Sequence, residues 1–363
     1  MINAAEIDSR GRLDGKVGRV TRETIGRHIN VPPEDIVTMD VSNYEGDSNH
    51  LRHMVVVDHV HKKVVLSIRG TFSLEEIVID VAAMSREFCG GEGHSGMVDM
   101  AERVWKVAGP TIKNTIRGNP GYEVIFTGHS LGGGKFESKN PCVYCFALHL
   151  NLTHGLSLFL IHSGAAALVT IMVQSKQLLP KEQQLRCFTY AAPPVYTPLE
   201  FVPKSVLATT NFIHENDVVP FLSIQKVRQL FSSLRAVESY SSAFMTKKEI
   251  YKIILGATKQ LPQNLIDTVT KAERIPIRPI KGAPILSVPA KNTVWIKENK
   301  RKRRSPTKTT RNHHHRKNTY RFEVVPASEL RKRDIRVYPD MFTDHFPSRY
   351  EHAFDHLIIN DDK

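Results

Sequence analysis

Cysteine is scarce in this chain, and no export signal is visible. Four cysteines among 363 residues provide no disulfide framework, and a chain of this length can bury a hydrophobic core without one. The first ten residues, MINAAEIDSR, lack a basic start followed by an apolar stretch, so we predict no signal peptide. The sequence therefore favours a reducing compartment and a cytoplasmic or peripheral membrane location.

Charged residues are absent from residues 141–173, a stretch long enough to cross a bilayer. The stretch nevertheless contains Asn151, His149, His154 and His162. Polar side chains of this kind are costly in lipid. We therefore expect this segment not to span a membrane.

Positive charge is abundant but confined to one region. The net charge is +13, and residues 297–321 alone hold eleven Lys or Arg against one Glu, which leaves only +3 for the rest of the chain. A nucleic-acid-binding fold would spread basic residues over a surface and interleave them with aromatic residues. We therefore expect no nucleic-acid partner, and we predict that residues 297–321 form a disordered basic loop on an otherwise ordinary fold.

Short apolar runs that end at glycine or proline predict buried strands at residues 123–127 (EVIFT), 185–190 (LRCFTY) and 210–214 (TNFIH). Residues 53–70 predict a hairpin, and residues 294–298 and 320–325 predict a late antiparallel pair on either side of the basic run. In the segments between these strands, apolar residues recur at helical spacing. This alternation predicts a single α/β domain over residues 1–363, with a mostly parallel sheet flanked by helices.

The stretch GHSLGGG, residues 128–134, fits the pattern G-x-S-x-G between a predicted strand and a predicted helix start. In that context the glycines permit a sharp turn that lifts the side chain of Ser130 above the sheet. The amide of Leu131 then lies at a helix N-terminus, where it can stabilise an oxyanion. The pattern predicts that Ser130 is a catalytic nucleophile.

A nucleophilic serine needs a base and a carboxylate to orient that base, and in this fold they follow it in the order acid, then histidine. Asp217 comes directly after the strand TNFIH and is the favoured acid, with Glu215 as the alternative. His345 lies in a loop before the last predicted helix and can reach a site from there. We interpret the other late histidines as surface residues: His313, His314, His315, His352, His356. They show no further metal-ligand pattern, so we expect no metal and no cofactor.

Together these segments resemble the class 3 lipases, a branch of the α/β-hydrolases, and within it the sn-1-specific diacylglycerol lipases. The resemblance rests on VVLSIRGTFSLEEIVIDV, HSGM, GHSLGGG, CFTYAAPPV, HENDVVP and DHFPSRYEHA, which occur in this order between about residues 50 and 356. It implies hydrolysis of acylglycerol esters at a lipid interface, with Ser130 as nucleophile, Asp217 as orienting acid and His345 as general base. It also implies that the amide of Thr71 joins that of Leu131 in an oxyanion hole.

The resemblance further implies that residues 72–88, whose apolar spacing is helical, form a lid. Two alternatives stay open for the function. One is a phospholipase A1 or general esterase that uses the same machinery. The other is a catalytically impaired relative that only binds lipid or membrane.

The basic run departs from the family pattern, which has a short connection there. One hypothesis is that residues 297–321 dock on anionic lipid headgroups. A nuclear import signal, which KRKRR resembles, and a plain solvated loop are the alternatives.

Residues 135–164 interrupt the family pattern directly behind the serine. Removing them joins Gly134 to Ala165 and restores GHSLGGGAAALVTIMV, the small-residue helix expected there. The codons at both ends permit splice donor and acceptor sequences in one reading frame. We therefore interpret residues 135–164 as a retained intron or an error in the gene structure, with a true lipid-binding or regulatory insertion as the alternative.

Overall fold

The computed structural model describes most of the chain that surrounds the candidate site. The described residues are 22–40, 53–68, 85–129, 162–246, 263–273, 284–299, 320–333, 335, 338, 340–341 and 343–361. Thr71, Ser130 and Leu131 lie outside the described residues, as do residues 135–161 and 300–319.

Eleven strands and eight α-helices make up the described part of the chain. The strands are β1 (Ile36–Asp40), β2 (His53–Asp58), β3 (Lys63–Ile68), β4 (Ser85–Phe88), β5 (Gly91–His94), β6 (Glu123–His129), β7 (Leu185–Tyr190), β8 (Tyr196–Thr197), β9 (Thr209–His214), β10 (Asn292–Glu298) and β11 (Tyr320–Pro326). The helices are α1 (Arg22–Ile29), α2 (Ser95–Gly118), α3 (His162–Ser175), α4 (Pro203–Ala208), α5 (Ile224–Phe244), α6 (Gln263–Glu273), α7 (Ala327–Lys332) and α8 (Pro347–Asp361).

Eight strands form one sheet in the order β1-β2-β3-β6-β7-β9-β10-β11. The five central strands, β3, β6, β7, β9 and β10, are parallel, and the pairs at both edges are antiparallel. A second, three-stranded sheet has the order β4-β5-β8. The predicted α/β architecture with a mostly parallel sheet is therefore confirmed, and so are the hairpin β2–β3 and the late antiparallel pair β10–β11.

The central strands are buried on both faces of the sheet. Ile125 and Phe126 are neighbours on β6 and point to opposite faces, yet only 7% and 0% of their surfaces are exposed. Strands of this kind read as continuous apolar runs, because both faces need a hydrophobic side chain. That is why EVIFT was recognisable as a strand.

Helix α3 lies inside the core. It contains no Asp, Glu, Lys or Arg, and it packs against α2, β6 and β7. Every residue from Ser163 to Val173 is buried. The absence of charge in this part of residues 141–173 therefore reflects burial in the protein.

The lid prediction is wrong at its C-terminal end. Residues 85–88 form strand β4, and Gly91–His94, part of a stretch that reads as a glycine-rich loop, form strand β5. Gly93 has no room for a side chain, since a Cβ there would lie 2.6 Å from a methyl group of Val98. Close packing against α2 therefore explains this glycine. Residues 72–84, the rest of the predicted lid, lie outside the described residues.

No helix among the described residues is both long and apolar enough to cross a bilayer. Helix α3 has 14 residues, fewer than the roughly 20 that a membrane span needs.

Candidate active site

The carboxyl ends of the parallel strands meet at one edge of the sheet and bring distant residues together. His129 ends β6 and is paired with Tyr190 at the end of β7, and Tyr190 is paired with Phe212 near the end of β9. Loops that leave this edge carry the chemistry of open parallel sheets. We call it the carboxyl edge.

A tight turn places Asp217 at the carboxyl edge directly after β9. The amide of Asp217 donates to the carbonyl of His214 over 2.9 Å, and Glu215 adopts a left-handed backbone conformation with φ of 41°. Glu215 is held against the next strand, because its amide donates to Ile296 O (2.8 Å) and its carbonyl accepts from Trp295 Nε1 (2.8 Å). The turn is therefore fixed to β10.

Asp217 and His345, 128 residues apart in sequence, are in contact. Nδ1 of His345 lies 2.9 Å from each carboxylate oxygen of Asp217. Asp217 is 0% and His345 1% exposed, so water does not weaken this contact. The carboxylate accepts from Nδ1–H, which leaves Nε2 of a neutral imidazole as the atom that can take a proton.

Tyr350, which the sequence analysis did not single out, completes the surroundings of Asp217. Its hydroxyl donates to Oδ2 of Asp217 over 2.6 Å and accepts from the amide of His214 over 3.0 Å. The amide of Val219 donates to Oδ1 over 3.0 Å. Burial, together with the charge of Asp217, raises the pKa of Tyr350 well above its ordinary value, so the hydroxyl stays a donor.

The ring of His345 contacts the ring of His129, the residue that precedes Ser130. The ring centroids of His345 and His129 are 5.3 Å apart, and His129 also contacts the ring of Tyr350. Nε2 of His345 is buried and has no hydrogen-bond partner within the described part of the chain. His129 is the last residue of β6 and the last described residue before Ser130, so the described chain ends beside this imidazole.

The other candidates predicted from the sequence lie elsewhere. The carboxylate of Glu215 accepts a hydrogen bond from the amide of Glu298, so it is engaged with β10, and His345 pairs with Asp217 instead. His352 and His356 contact each other on α8, with ring centroids 4.3 Å apart, and both contact Tyr320. The described ranges contain no group of three or more His, Cys, Asp or Glu side chains arranged to hold a metal ion.

A second buried Asp and His lie beside the first pair. Oδ2 of Asp344 accepts from the amide of Asn216 over 3.1 Å, and its Oδ1 lies 3.7 Å from Nδ1 of His214. Burial raises the pKa of Asp344 to about 6 and lowers the pKa of His214 to about 4. At neutral pH, Asp344 is therefore charged and His214 is neutral.

Comparison with known proteins gives matches to lipases. Residues 65–135, which run from β3 to just beyond Ser130, match the family Lipase (class 3). Diacylglycerol lipase-alpha of Mus musculus is 27% identical over 236 residues, which is 60% of this chain and 19% of that protein. Diacylglycerol lipase-beta of Mus musculus is 24% identical over 213 residues, 56% of this chain and 26% of that protein. The chain thus spans about a fifth to a quarter of the length of these relatives.

Among solved structures, a lipase from Rhizopus microsporus var. chinensis aligns with 56% of this chain and 61% of its own, at 17% identity and a TM-score of 0.40.

Proposed function

We propose that this chain is a class 3 lipase, a serine hydrolase that cleaves carboxylic esters of acylglycerols, because residues 65–135 match that family and diacylglycerol lipases are similar over 60% of the chain. One observation carries the proposal. Nδ1 of His345 contacts a buried carboxylate, and its Nε2 is buried and has no hydrogen-bond partner among the described residues, beside His129, the last described residue before Ser130.

In the proposed reaction, Nε2 of His345 takes the proton of the Ser130 hydroxyl as its oxygen attacks the acyl carbonyl. Asp217 keeps Nδ1 protonated and balances the charge of the imidazolium that forms. His345 then passes the proton to the departing glycerol oxygen. A water molecule, activated by the same imidazole, releases the fatty acid from the serine.

The tetrahedral oxygen needs hydrogen-bond donors, and we propose the amides of Leu131 and Thr71. Leu131 follows β6 and Thr71 follows β3, and these two strands are parallel neighbours with Ile68 paired to Gly128. The two strands therefore end side by side at the carboxyl edge. No metal or organic cofactor takes part in this chemistry.

A fluorophosphonate probe tests the proposal, because it labels only an activated serine. The wild-type protein should be labelled, whereas Ser130→Ala should not be labelled and His345→Ala should react at least about 1,000-fold more slowly. Absence of labelling in the folded wild-type protein would contradict the proposal and favour a relative that only binds lipid.

The substrate class is the finer part of the proposal. The similarity to proteins named diacylglycerol lipase favours diacylglycerol. Initial rates on diacylglycerol, triacylglycerol and phosphatidylcholine in matched micelles distinguish it from a triacylglycerol lipase and from a phospholipase A1. A rate on phosphatidylcholine above the rate on diacylglycerol would contradict the choice.

We also propose that the protein works as a peripheral membrane enzyme and that residues 297–321 meet anionic headgroups. Strand β10 ends at Glu298, and because β10 is parallel to β9 that end lies at the carboxyl edge. Strand β11 starts at Tyr320, opposite Glu298, so the chain also returns there. A lipid surface that presents substrate to the carboxyl edge would thus meet both ends of the basic run.

Vesicle sedimentation tests this second proposal. Replacing residues 301–304 with serine should abolish salt-sensitive binding to vesicles that contain phosphatidylserine. A matched control removes four exposed cations that lie shortly before the starts of parallel strands, at the opposite end of the sheet, and should leave binding unchanged: Lys62, Arg117, Lys181, Lys291. Equal binding by wild type and the 301–304 variant would contradict the proposal.

A further inference from the structure

We propose that Asp344 is a positioning residue for the proposed triad, since its buried carboxylate ties the loop that carries His345 to the turn that carries Asp217. The inference rests on the proposed function and adds a residue to it. Asp344 touches neither substrate nor the reacting atoms, and its effect passes through His345.

The two segments are joined by reciprocal contacts between neighbouring residues. Asp217 accepts from His345, and Asp344, the residue before His345, accepts from the amide of Asn216, the residue before Asp217. One contact alone would let the loop rotate about it. Two contacts side by side fix the orientation as well as the distance, and orientation decides whether Nε2 meets the serine hydroxyl.

Met341 packs this loop into the hydrophobic core, but few other hydrogen bonds anchor it. Within the part of the chain that the structure describes, the remaining hydrogen bonds of residues 340–346 are local: Asp344 N to Asp340 O (2.8 Å), Phe346 N to Thr343 O (3.1 Å), Thr343 Oγ1 to Asp340 O (2.9 Å), Met341 N to Tyr338 O (3.3 Å) and Arg349 N to Phe346 O (3.0 Å). Among the described residues, only the hydrogen bonds of Asp344 and His345 link this segment to the turn after β9.

The chemistry of the contact suits this role. Asp344 is 5% exposed, so its hydrogen bond to the amide of Asn216 is shielded from water. Removing the acceptor would leave that amide without a partner. The second carboxylate oxygen of Asp344 lies 3.7 Å from Nδ1 of His214. Because that imidazole is neutral, it forms no ion pair that would draw the carboxylate away from the amide of Asn216.

The matched variants are Asp344→Ala, which removes the acceptor, and Asp344→Asn, which keeps an oxygen in place. We expect Asp344→Ala to lower kcat on a soluble p-nitrophenyl ester at least ten-fold with KM unchanged. The rate constant for fluorophosphonate labelling should fall by the same factor, because labelling also needs His345. Asp344→Asn should stay within three-fold of wild type in both measurements.

A control removes the same kind of contact far from the site. Asp58→Ala deletes the carboxylate that accepts from the amide of His61 over 2.9 Å in the β2–β3 turn, and it should leave both rates unchanged. The labelling rate constant is measured per reactive molecule, so a partly unfolded variant does not distort it. If Asp344→Ala does not fold, Asp344→Glu moves the oxygen by one methylene and should show the same ten-fold loss.

The outcomes separate the two proposals. Wild-type labelling combined with equal rates in Asp344→Ala and wild type overturns the inference alone. If kcat and the labelling rate constant fall as much in Asp344→Asn as in Asp344→Ala, the inference is also overturned, because the oxygen that Asn retains would then have no effect. A folded wild-type protein that is not labelled overturns the proposed function and this inference with it.

Discussion

At the scale of single residues, the carboxylate of Asp217 is surrounded by hydrogen-bond donors. It accepts from His345, from Tyr350 and from the amide of Val219, and it is fully buried. A buried charge needs such donors, because burying it unpaired costs several kcal/mol. Its donors therefore serve both stability and the proposed chemistry.

Tyr350→Phe tests that double role. The change removes one donor to Asp217 and leaves the buried amide of His214 without its acceptor. We expect the free energy of unfolding to fall by about 1–3 kcal/mol and kcat by about ten-fold. Urea denaturation and ester hydrolysis measure the two effects.

Tyr122→Phe is the control, since that hydroxyl contacts Nδ1 of His59 at the surface over 2.8 Å. If Tyr350→Phe leaves kcat unchanged, the hydroxyl does not help to hold the acid in place.

His214 and Asp344 should give stability an unusual pH dependence. The pKa of His214 falls from 6.5 to about 4 on folding, so its contribution to the free energy of unfolding is lost as the pH is lowered from 6.5 to about 4. The pKa of Asp344 rises from 3.8 to about 6, so its contribution is lost as pH is raised through that window. Between pH 4 and 6 the two effects oppose each other.

Asp344→Asn removes one of these effects. We expect the free energy of unfolding of this variant, relative to wild type, to fall as pH is lowered from about 6 to about 4, by up to about 1.4 kcal/mol per pH unit. His214→Gln should show the reverse trend. Denaturant unfolding at pH 4, 5, 6 and 7 measures it, and pH profiles parallel to wild type in both variants would contradict the assignment.

At the scale of elements, α3 is a buried helix that packs in the hydrophobic core. Leu168 and Ile171 are completely buried, and the helix contacts both α2 and the central strands β6 and β7. Its first turn lies at the carboxyl edge, because the hydroxyl of Ser163 donates to Ala191 O, just past the end of β7, over 3.4 Å. The helix thus runs antiparallel to the strands that it covers.

Leu168→Ala should cost about 2–5 kcal/mol in the free energy of unfolding, because it leaves a cavity where repacking is restricted. Leu207→Ala is the matched control: Leu207 is 66% exposed, and we expect its loss to change stability by less than about 0.5 kcal/mol. Thermal or urea denaturation of the two variants measures the difference. Similar stabilities would mean that α3 is not packed as described.

The strands and the order of the candidate residues could be predicted from the sequence, because local patterns encode them. EVIFT, LRCFTY and TNFIH are apolar runs that end at glycine, alanine–proline or a polar turn, and each is a strand in the structure. The motif HENDVVP after a strand favoured Asp217 over Glu215 for the same reason.

The contacts of Tyr350, Asp344 and His214 could not be predicted in this way. They depend on how α8 and the preceding loop pack against β9, and residue spacing within the sequence does not predict such tertiary contacts. Strands β4 and β5 could not be predicted either, since the glycines of β5 are typical of a loop, whereas Gly93 packs closely against α2 and Gly91 against Tyr196 and Thr197. Tertiary contact decided both cases.

At the scale of the whole molecule, the described structure is compatible with a shorter chain. Strand β6 ends beside β7, and α3 begins next to the end of β7, so a few residues can connect β6 to α3. The buried helical residues from Ala165 onward lie outside residues 135–164. We propose that the working enzyme lacks residues 135–164.

Deleting residues 135–164 should therefore give a protein that folds and is labelled by fluorophosphonate at least ten-fold faster than the full chain. The reason is that Gly134 would continue directly into α3 and place the Leu131 amide at its N-terminus. Sequencing the mature transcript tests the origin of the segment separately. Consistent presence of the 90 nucleotides, or loss of labelling after deletion, would favour a true insertion.

The proposed base, His345, comes late in the chain. The five parallel strands and α3 are complete by Glu298, whereas His345 lies in the loop before α8. A nonsense mutation between β11 and Met341 would remove His345 together with Met341, Tyr350 and Ala353, which belong to the hydrophobic core. Loss of the proposed base and loss of core packing therefore coincide at this end of the chain, and an antibody to residues 343–361 would distinguish the intact protein from a truncated one.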